Sequence, residues 1–503
     1  GCWSGSISAI PFSRSLMLWL LLTVVFTLLF YRQHIGLNLL IYELLVLFSL
    51  RQKFGCFIQP VYAKVLVFSL LATLIAVVLV NSILVILVNL LFLTLLVAYL
   101  SQLQEANLFG AALAIAGNIV RSPFAGIRAI GEEIAGKEQS RGRQLIAIVL
   151  ILLAGLFVVL VFALIYAAAS PWFENLSNVA TDFIYKLFNI FDPEWIPLMV
   201  LGFLIAAYVL FSQPDSMITT LNEKPETIVL SERQISAAVL NSLKVVLVLL
   251  NVLLAIVNWL DLKNVWLFFE WNGGFLKQFV HEGTFLLLFS VALASLVLLA
   301  IYSDRSRGLQ QNKSIKMLAS AWIVQNAFLV LSVGMRNYWY MSYFALAYKR
   351  IAVVFVLILL IIGLVLLYQK IHKARTVFWL IRQSSMAFFV VLALASLPDW
   401  DTLIARYNLK NYTHSFVHFD FLIDLPDRTL DDMDLSLEEL EKIDAAQQQL
   451  FFLEAEYMHG TEFYEQLQKR KEKFHHRQEN KSILSWNLAD QLAARRLKAV
   501  TRK

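Results

Sequence analysis

Along the first 397 residues, apolar runs alternate with short polar links. Most runs are close to the roughly 20 residues that a helix needs to cross a hydrocarbon core of about 30 Å. They fall at 16–31, 35–50, 62–80, 83–100, 145–169, 195–211, 235–260, 279–302, 317–341, 351–369 and 377–397. The pattern predicts an all-α, polytopic transmembrane bundle of about 11 spans over 1–397. The first two runs, joined by Arg32-Gln33-His34, are short and need thin lipid or snorkelling ends. The link Asn81-Ser82 forces its two runs into an antiparallel hairpin. Between 101 and 143 the pattern breaks: Ala111–Val120 is too short to span, and Arg121, Arg128, Lys137, Arg141 and Arg143 follow. That segment reads as an interfacial helix and a basic loop. No internal repeat stands out, so an inverted-repeat transporter is not indicated.

From Pro398 the chain turns polar. Residues 398–503 hold an acidic stretch from Asp420 to Asp444 and a basic one from Lys469 to Arg496. Leu437, Leu440, Ile443 and Leu450 recur at helical steps, so this extramembrane carboxy-terminal region is expected to be mostly helical.

Composition sharpens the class. With 59% apolar and 16% charged residues, the chain holds more apolar surface than a water-soluble core absorbs. The net charge of +6 conceals an excess of basic residues before 398 and of acidic ones after it. Lys and Arg concentrate in the links 101–143, 303–316 and 370–376, which the positive-inside rule places in the cytoplasm. The amino terminus is then cytoplasmic and the tail extracytoplasmic, whereas an even number of spans would bring the tail inside. Cys2 and Cys56 are too few for a disulfide framework or a zinc site. The first apolar run lacks a small-residue cleavage site and reads as a retained span. No nucleic-acid motif is present.

The polar residues that a bilayer tolerates only for a reason gather in one stretch, Met335–Arg350. It holds Arg336, Asn337, the pair Lys349-Arg350, and five rings with a hydroxyl or indole N–H, Tyr340 among them. Its counterpart is His281-Glu282-Gly283-Thr284 at the mouth of another run. A zinc-protease helix needs a second His one turn after His281, and Phe285 stands there, so that reading fails. His281 and Glu282 remain either a proton-handling pair or a helix start favoured by the macrodipole. Glu282 and Arg336 lie at matching depths in adjacent antiparallel runs and are expected to pair. Glu43 and Lys244 are charges inside runs and must find a partner or water. Asn251, Asn258, Gln325 and Asn326 read as amides gluing helices together. His414 and His418 have a metal-ligand spacing, but in a segment rich in β-formers, so no metal is expected. No nucleophile triad, phosphate loop, kinase signature or haem motif appears, which argues against an enzyme or a cofactor.

His281-Glu-Gly-Thr opening one span resembles the multi-spanning bacterial family called domain of unknown function 4173, with its relatives in the 4153 group. So do Arg336-Asn337…Tyr340…Tyr348-Lys349-Arg350 before the next span, and Trp400-Asp401…Arg406-Tyr-Asn408 after the last. The resemblance covers roughly 200–410, and Ala345-Leu346-Ala347 replaces the family's usual Gly-Leu-Thr. It implies a bacterial inner-membrane protein, and no reaction or substrate. The leading expectation is transport or permeation of a small solute or ion, with His281, Glu282 and Arg336 lining an outward-facing cavity. The alternative is a non-transporting scaffold or signalling component whose tail binds an envelope protein.

Overall fold

The computed structural model describes residues 12–55, 60–102, 107–135, 195–215, 224–230, 236–270, 275–302, 307–450 and 457–500, together with Ile218 and Thr220. Every regular element in them is helical, apart from an isolated bridge between Thr227 and Arg375. The apolar run 145–169 lies outside the described residues.

The chain divides into two compact units, 1–222 with 482–487, and 223–481 with 488–503. The first holds α1 (Phe12–Phe30), α2 (Leu37–Phe54), α3 (Val61–Leu79), α4 (Ile83–Ser101), α5 (Leu108–Ala135) and α6 (Trp195–Phe211). The second holds α7 (Ala237–Asp261), α8 (Phe275–Ile301), α9 (Lys313–Phe344), α10 (Tyr348–His372) and α11 (Val377–Ser396). The helices α12 (Trp400–Lys410), α13 (Leu437–Gln447), α14 (Gly460–Glu479) and α15 (Leu488–Val500) follow.

Seven of the described helices are long and apolar enough to cross a membrane: α3, α4, Leu108–Ala129 of α5, α7 with its extension to Leu267, α9, α10 and α11. Ser15–Phe30, Pro197–Phe211 and Leu286–Ile301 are shorter apolar helices. Large apolar side chains such as Phe68, Leu87, Leu249 and Val324 stand exposed on their faces. Such surface is stable in contact with lipid, and a helix satisfies its own backbone there. The protein is thus an all-helical membrane protein.

One element differs from its expectation. Ala111–Val120 is not a short interfacial piece but the middle of the 28-residue α5, which continues through Pro123. The apolar run extends both ways from it, and Arg121 reaches outward to Asp215 at 2.7 Å instead of ending the helix.

Short polar residues set several helix starts. Ser82, Ser236, Asn312 and Thr376 each accept a hydrogen bond from the backbone N–H three residues on, which satisfies one of the free donors at a helix start. Ser436 and Glu439 form a capping box at α13.

Within the first unit, Asn81 Nδ2 donates to Ile35 O at 2.8 Å, so the α1–α2 and α3–α4 turns lie at one end. Segment 482–487 lies on the α1–α2 turn: Leu37 N–H donates to Trp486 O at 3.0 Å and His34 N–H to Ser485 Oγ at 2.9 Å. A Cβ on Gly36 would come within 2.6 Å of Trp486 O, so only glycine admits this approach.

Candidate functional site

The stretch singled out in sequence forms the elbow between α9 and α10. A helix of 32 residues ends at Phe344, leaving its last carbonyls without helical partners. Here side chains and the tail take them up. Ser415 Oγ donates to Ser342 O at 2.8 Å, and Phe416 N–H to Tyr343 O at 2.7 Å. The Arg350 guanidinium donates to Phe344 O and Ala345 O while lying 4.4 Å over the Tyr340 ring. Asn337 Nδ2 donates to Arg350 O at 3.0 Å. Asn337 and Tyr340 are buried, whereas Lys349 is exposed.

Ala345 bends the chain at φ 59° and ψ −164°, a region that glycine alone enters without strain. Asn408, on α12, holds that bend: its Oδ1 accepts from Leu346 N–H at 2.8 Å and its Nδ2 donates to Leu346 O at 3.0 Å. Beside it the Tyr348 hydroxyl donates to Asp401, and Arg428 pairs with the other oxygen of that carboxylate. Asp399 caps α12 through Thr402 and stands 3.5 Å from Arg428 Nε. Trp400 Nε1 donates back to Ala395 O at 2.7 Å. Arg406 is exposed and pairs with Asp432 at 2.7 Å. Burial pushes the Asp432 carboxyl up, against the hydrogen bond from Arg406, which pulls it down. The tail core, including Phe419, Leu422, Leu440 and Phe463, is continuous with Ile351 of α10.

Arg336 does not stand open to a cavity. It is buried and paired with Asp261, the last residue of α7, a partner that the sequence reading did not single out. The chain continues past Asp261 as a π-helical turn, Leu262–Leu267, so Asp261 sits inside the helical rod and not in a loop. Trp339 Nε1 donates to Val265 O at 3.0 Å and Trp266 Nε1 to Ser332 Oγ at 3.0 Å, fixing that turn against α9. His281, Glu282 and Gly283 lie in the first half of α8, and their side chains are outside the described residues. His414 and His418 do not share a helix: His414 lies in a turn, and His418 packs on Phe344 and Phe416. Among the described residues no group of three or more metal-ligating side chains gathers.

A family model described as "Domain of unknown function (DUF4153)" matches residues 63–434, from the start of α3 through the elbow and into the tail. The chain belongs to this family. Of the two groups resembled, the match is to 4153. No curated protein and no solved structure matches the chain.

Outside the matched span, on α2, lies the other intramembrane charge. Glu43 is wholly buried, and neither carboxylate oxygen has a hydrogen-bond partner. The Asn89 side chain of α4 stands beside it. Asn89 Nδ2 donates to Leu70 O at 3.3 Å and Thr73 Oγ1 at 3.2 Å, both on α3. Lys244 is milder: half-buried near the start of α7, with its Nζ 3.5 Å from Asn241 Oδ1, it reaches toward the helix end. In the second unit Gln325 Nε2 donates to Asn251 Oδ1 at 2.8 Å and Asn258 Nδ2 to Gln325 O at 3.0 Å, tying α7 to α9.

Proposed function

We propose that this DUF4153 protein moves a small solute or ion across a membrane. The observation that carries the reading is Glu43, a carboxyl wholly buried among apolar helices with neither oxygen satisfied. A charged or polar group costs several kcal/mol in such a place unless it is paired, by a figure of about 2.5–3.5 kcal/mol for Asp on insertion scales. Groups of that kind persist where they serve a pathway. The elbow, with its carbonyls capped, is the frame that holds α9 and α10, and Arg336 with Asp261 braces it. His281 and Glu282 stand as candidate lining groups at the mouth of α8. In this reading the chain has about 11 spans in a bacterial inner membrane, with the amino terminus cytoplasmic and the tail outside.

Purified full-length protein in sealed proteoliposomes, given imposed proton, sodium and potassium gradients and followed with ion-sensitive dyes, is expected to show flux that Glu43→Gln abolishes. Liposomes that stay tight under every gradient would remove the transport reading.

A second reading keeps one observation in its favour. The tail is a folded helical body whose core runs into α10, so it is presented as a fixed surface. A non-transporting scaffold that binds an envelope protein through that surface fits this. Unchanged tightness of the liposomes together with a specific tail partner would select it.

A further inference from the structure

We propose that the end of the second unit where residues 224–230 pair with the α10–α11 turn binds the headgroup of an anionic phospholipid. The site stands apart from Glu43 and does not depend on transport.

Two short backbone stretches build it. Ile228 N–H donates to Ala374 O and Thr376 N–H to Glu226 O, both at 2.9 Å, so 224–230 lies as a strap against the turn. Thr376 Oγ1 adds a bond to Pro225 O at 2.9 Å. The strap gathers cations: segments 224–230 and 370–382 hold Lys224, Lys370, Lys373, Arg375 and Arg382 against one acid, Glu226. That carboxylate lies 3.5 Å from Arg375 Nη1 and 3.6 Å from Arg382 Nη1. Both distances exceed the roughly 2.7–2.9 Å of a tight charge-assisted bond. One exposed carboxylate shared by two guanidiniums cannot neutralise both. Arg375 Nε is buried and has no hydrogen-bond partner. Lys224 and Lys373 are exposed. Lys370, buried just before the turn, has a neutral partner in Tyr302 O, so its charge adds to the excess.

The setting selects a lipid. α10 ends at His372 and α11 begins at Val377, so the cations stand at the ends of two membrane helices. The Arg375 guanidinium lies 5.5 Å from the Trp379 ring centre, and Lys224 Nζ 4.1 Å from that of Phe378. Aromatic rings beneath basic groups suit the boundary between bilayer and water. On the flanking helices Val365, Val377 and Phe388 are exposed. Acyl chains bound there meet apolar surface, while the phosphate meets guanidinium, a planar fork that fits its oxygens. A zwitterionic headgroup brings its own cation and gains less, and a soluble anion makes no use of the apolar face.

The test is native mass spectrometry of the full chain in a neutral detergent, titrated with phosphatidylglycerol or with phosphatidylcholine of the same acyl chains. Phosphatidylglycerol is expected to bind more tightly. Lys224→Gln combined with Lys373→Gln changes two exposed side chains, so the double variant is expected to fold as wild type does. It should weaken phosphatidylglycerol binding by about 30-fold, the worth of two basic groups near an anionic surface. Glu226→Gln removes the competing acid and leaves the backbone bonds of the strap, so it is expected to tighten binding. Equal binding of the two lipids, or equal affinity in wild type and the double variant, overturns the proposal. So does displacement of phosphatidylglycerol by inorganic phosphate at equal concentration, which would make the site one for a free anion. Should the double variant unfold, Glu226→Gln decides alone: unchanged or weaker binding overturns the proposal.

Discussion

The side-chain amide of Asn408 takes both backbone groups of Leu346, accepting from its N–H at 2.8 Å and donating to its C=O at 3.0 Å. A single amide on the first tail helix thus completes the backbone of a bend between two membrane helices. Asn408→Ala leaves both groups without partners, at about 1–3 kcal/mol for each buried group. Asn408→Asp keeps the acceptor, loses the donor and buries a charge, so it is expected to be worse than alanine. Thermal unfolding of the full chain in detergent should rank the proteins as wild type, then alanine, then aspartate. An aspartate variant as stable as wild type would show that the donated bond to Leu346 O is dispensable.

Ala345 carries the cost of the bend. A Cβ in this backbone region costs on the order of 1–3 kcal/mol. Ala345→Gly is expected to raise the melting temperature, net of the extra flexibility glycine brings to the unfolded chain. A lowered melting temperature would mean that the hydrogen bonds on either side, from Arg350 and Asn408, already relieve the strain.

Much of this was legible in the sequence, for a physical reason. A helix in lipid shows its apolar length directly, so α3, α4, α7 and α9 to α11 follow their runs closely. The elbow was legible too, because Arg336, Asn337 and Arg350 are polar where the pattern is otherwise apolar. Their partners were harder to read. Asp261 ends an apolar run and looks like the start of a loop until the π-helical turn after it is seen. Asn89, in the middle of an apolar run, goes unmarked in the sequence, and only the fold shows it donating to Leu70 O and Thr73 Oγ1 of α3. Lys370 falls in the basic link 370–376, yet α10 runs on to His372 and buries it, with its Nζ 3.4 Å from Tyr302 O. Hydropathy alone cannot tell a lysine that leaves a helix end from one folded back beneath it.

Gly36 makes a third test. Its missing Cβ is what lets the backbone of Ser485 and Trp486 lie on the α1–α2 turn. Gly36→Ala is expected to displace segment 482–487 and to leave Leu37 N–H without its acceptor, Trp486 O. Limited proteolysis of the full chain should then cut near Lys481 faster than in wild type. An unchanged cleavage rate would mean that the contact is not needed to hold the segment.

The last test concerns the pair buried at the foot of the elbow. Arg336 and Asp261 each keep only 8% of their side-chain surface, so neither charge has water to fall back on. Their mutual attraction offsets the desolvation of both, and either one left alone is worse off than no charge at all. Asp261→Asn is expected to cost about 3–5 kcal/mol because the buried guanidinium loses the charge of Asp261, and Arg336→Met about as much because the buried carboxylate loses that of Arg336. The double variant removes both desolvation costs together, so it should be more stable than the sum of the single losses predicts. Melting temperatures of the four proteins in detergent give the coupling directly. Losses that simply add would show that Arg336 draws its support from elsewhere, and the brace between α7 and α9 would then rest on Trp266 and Trp339.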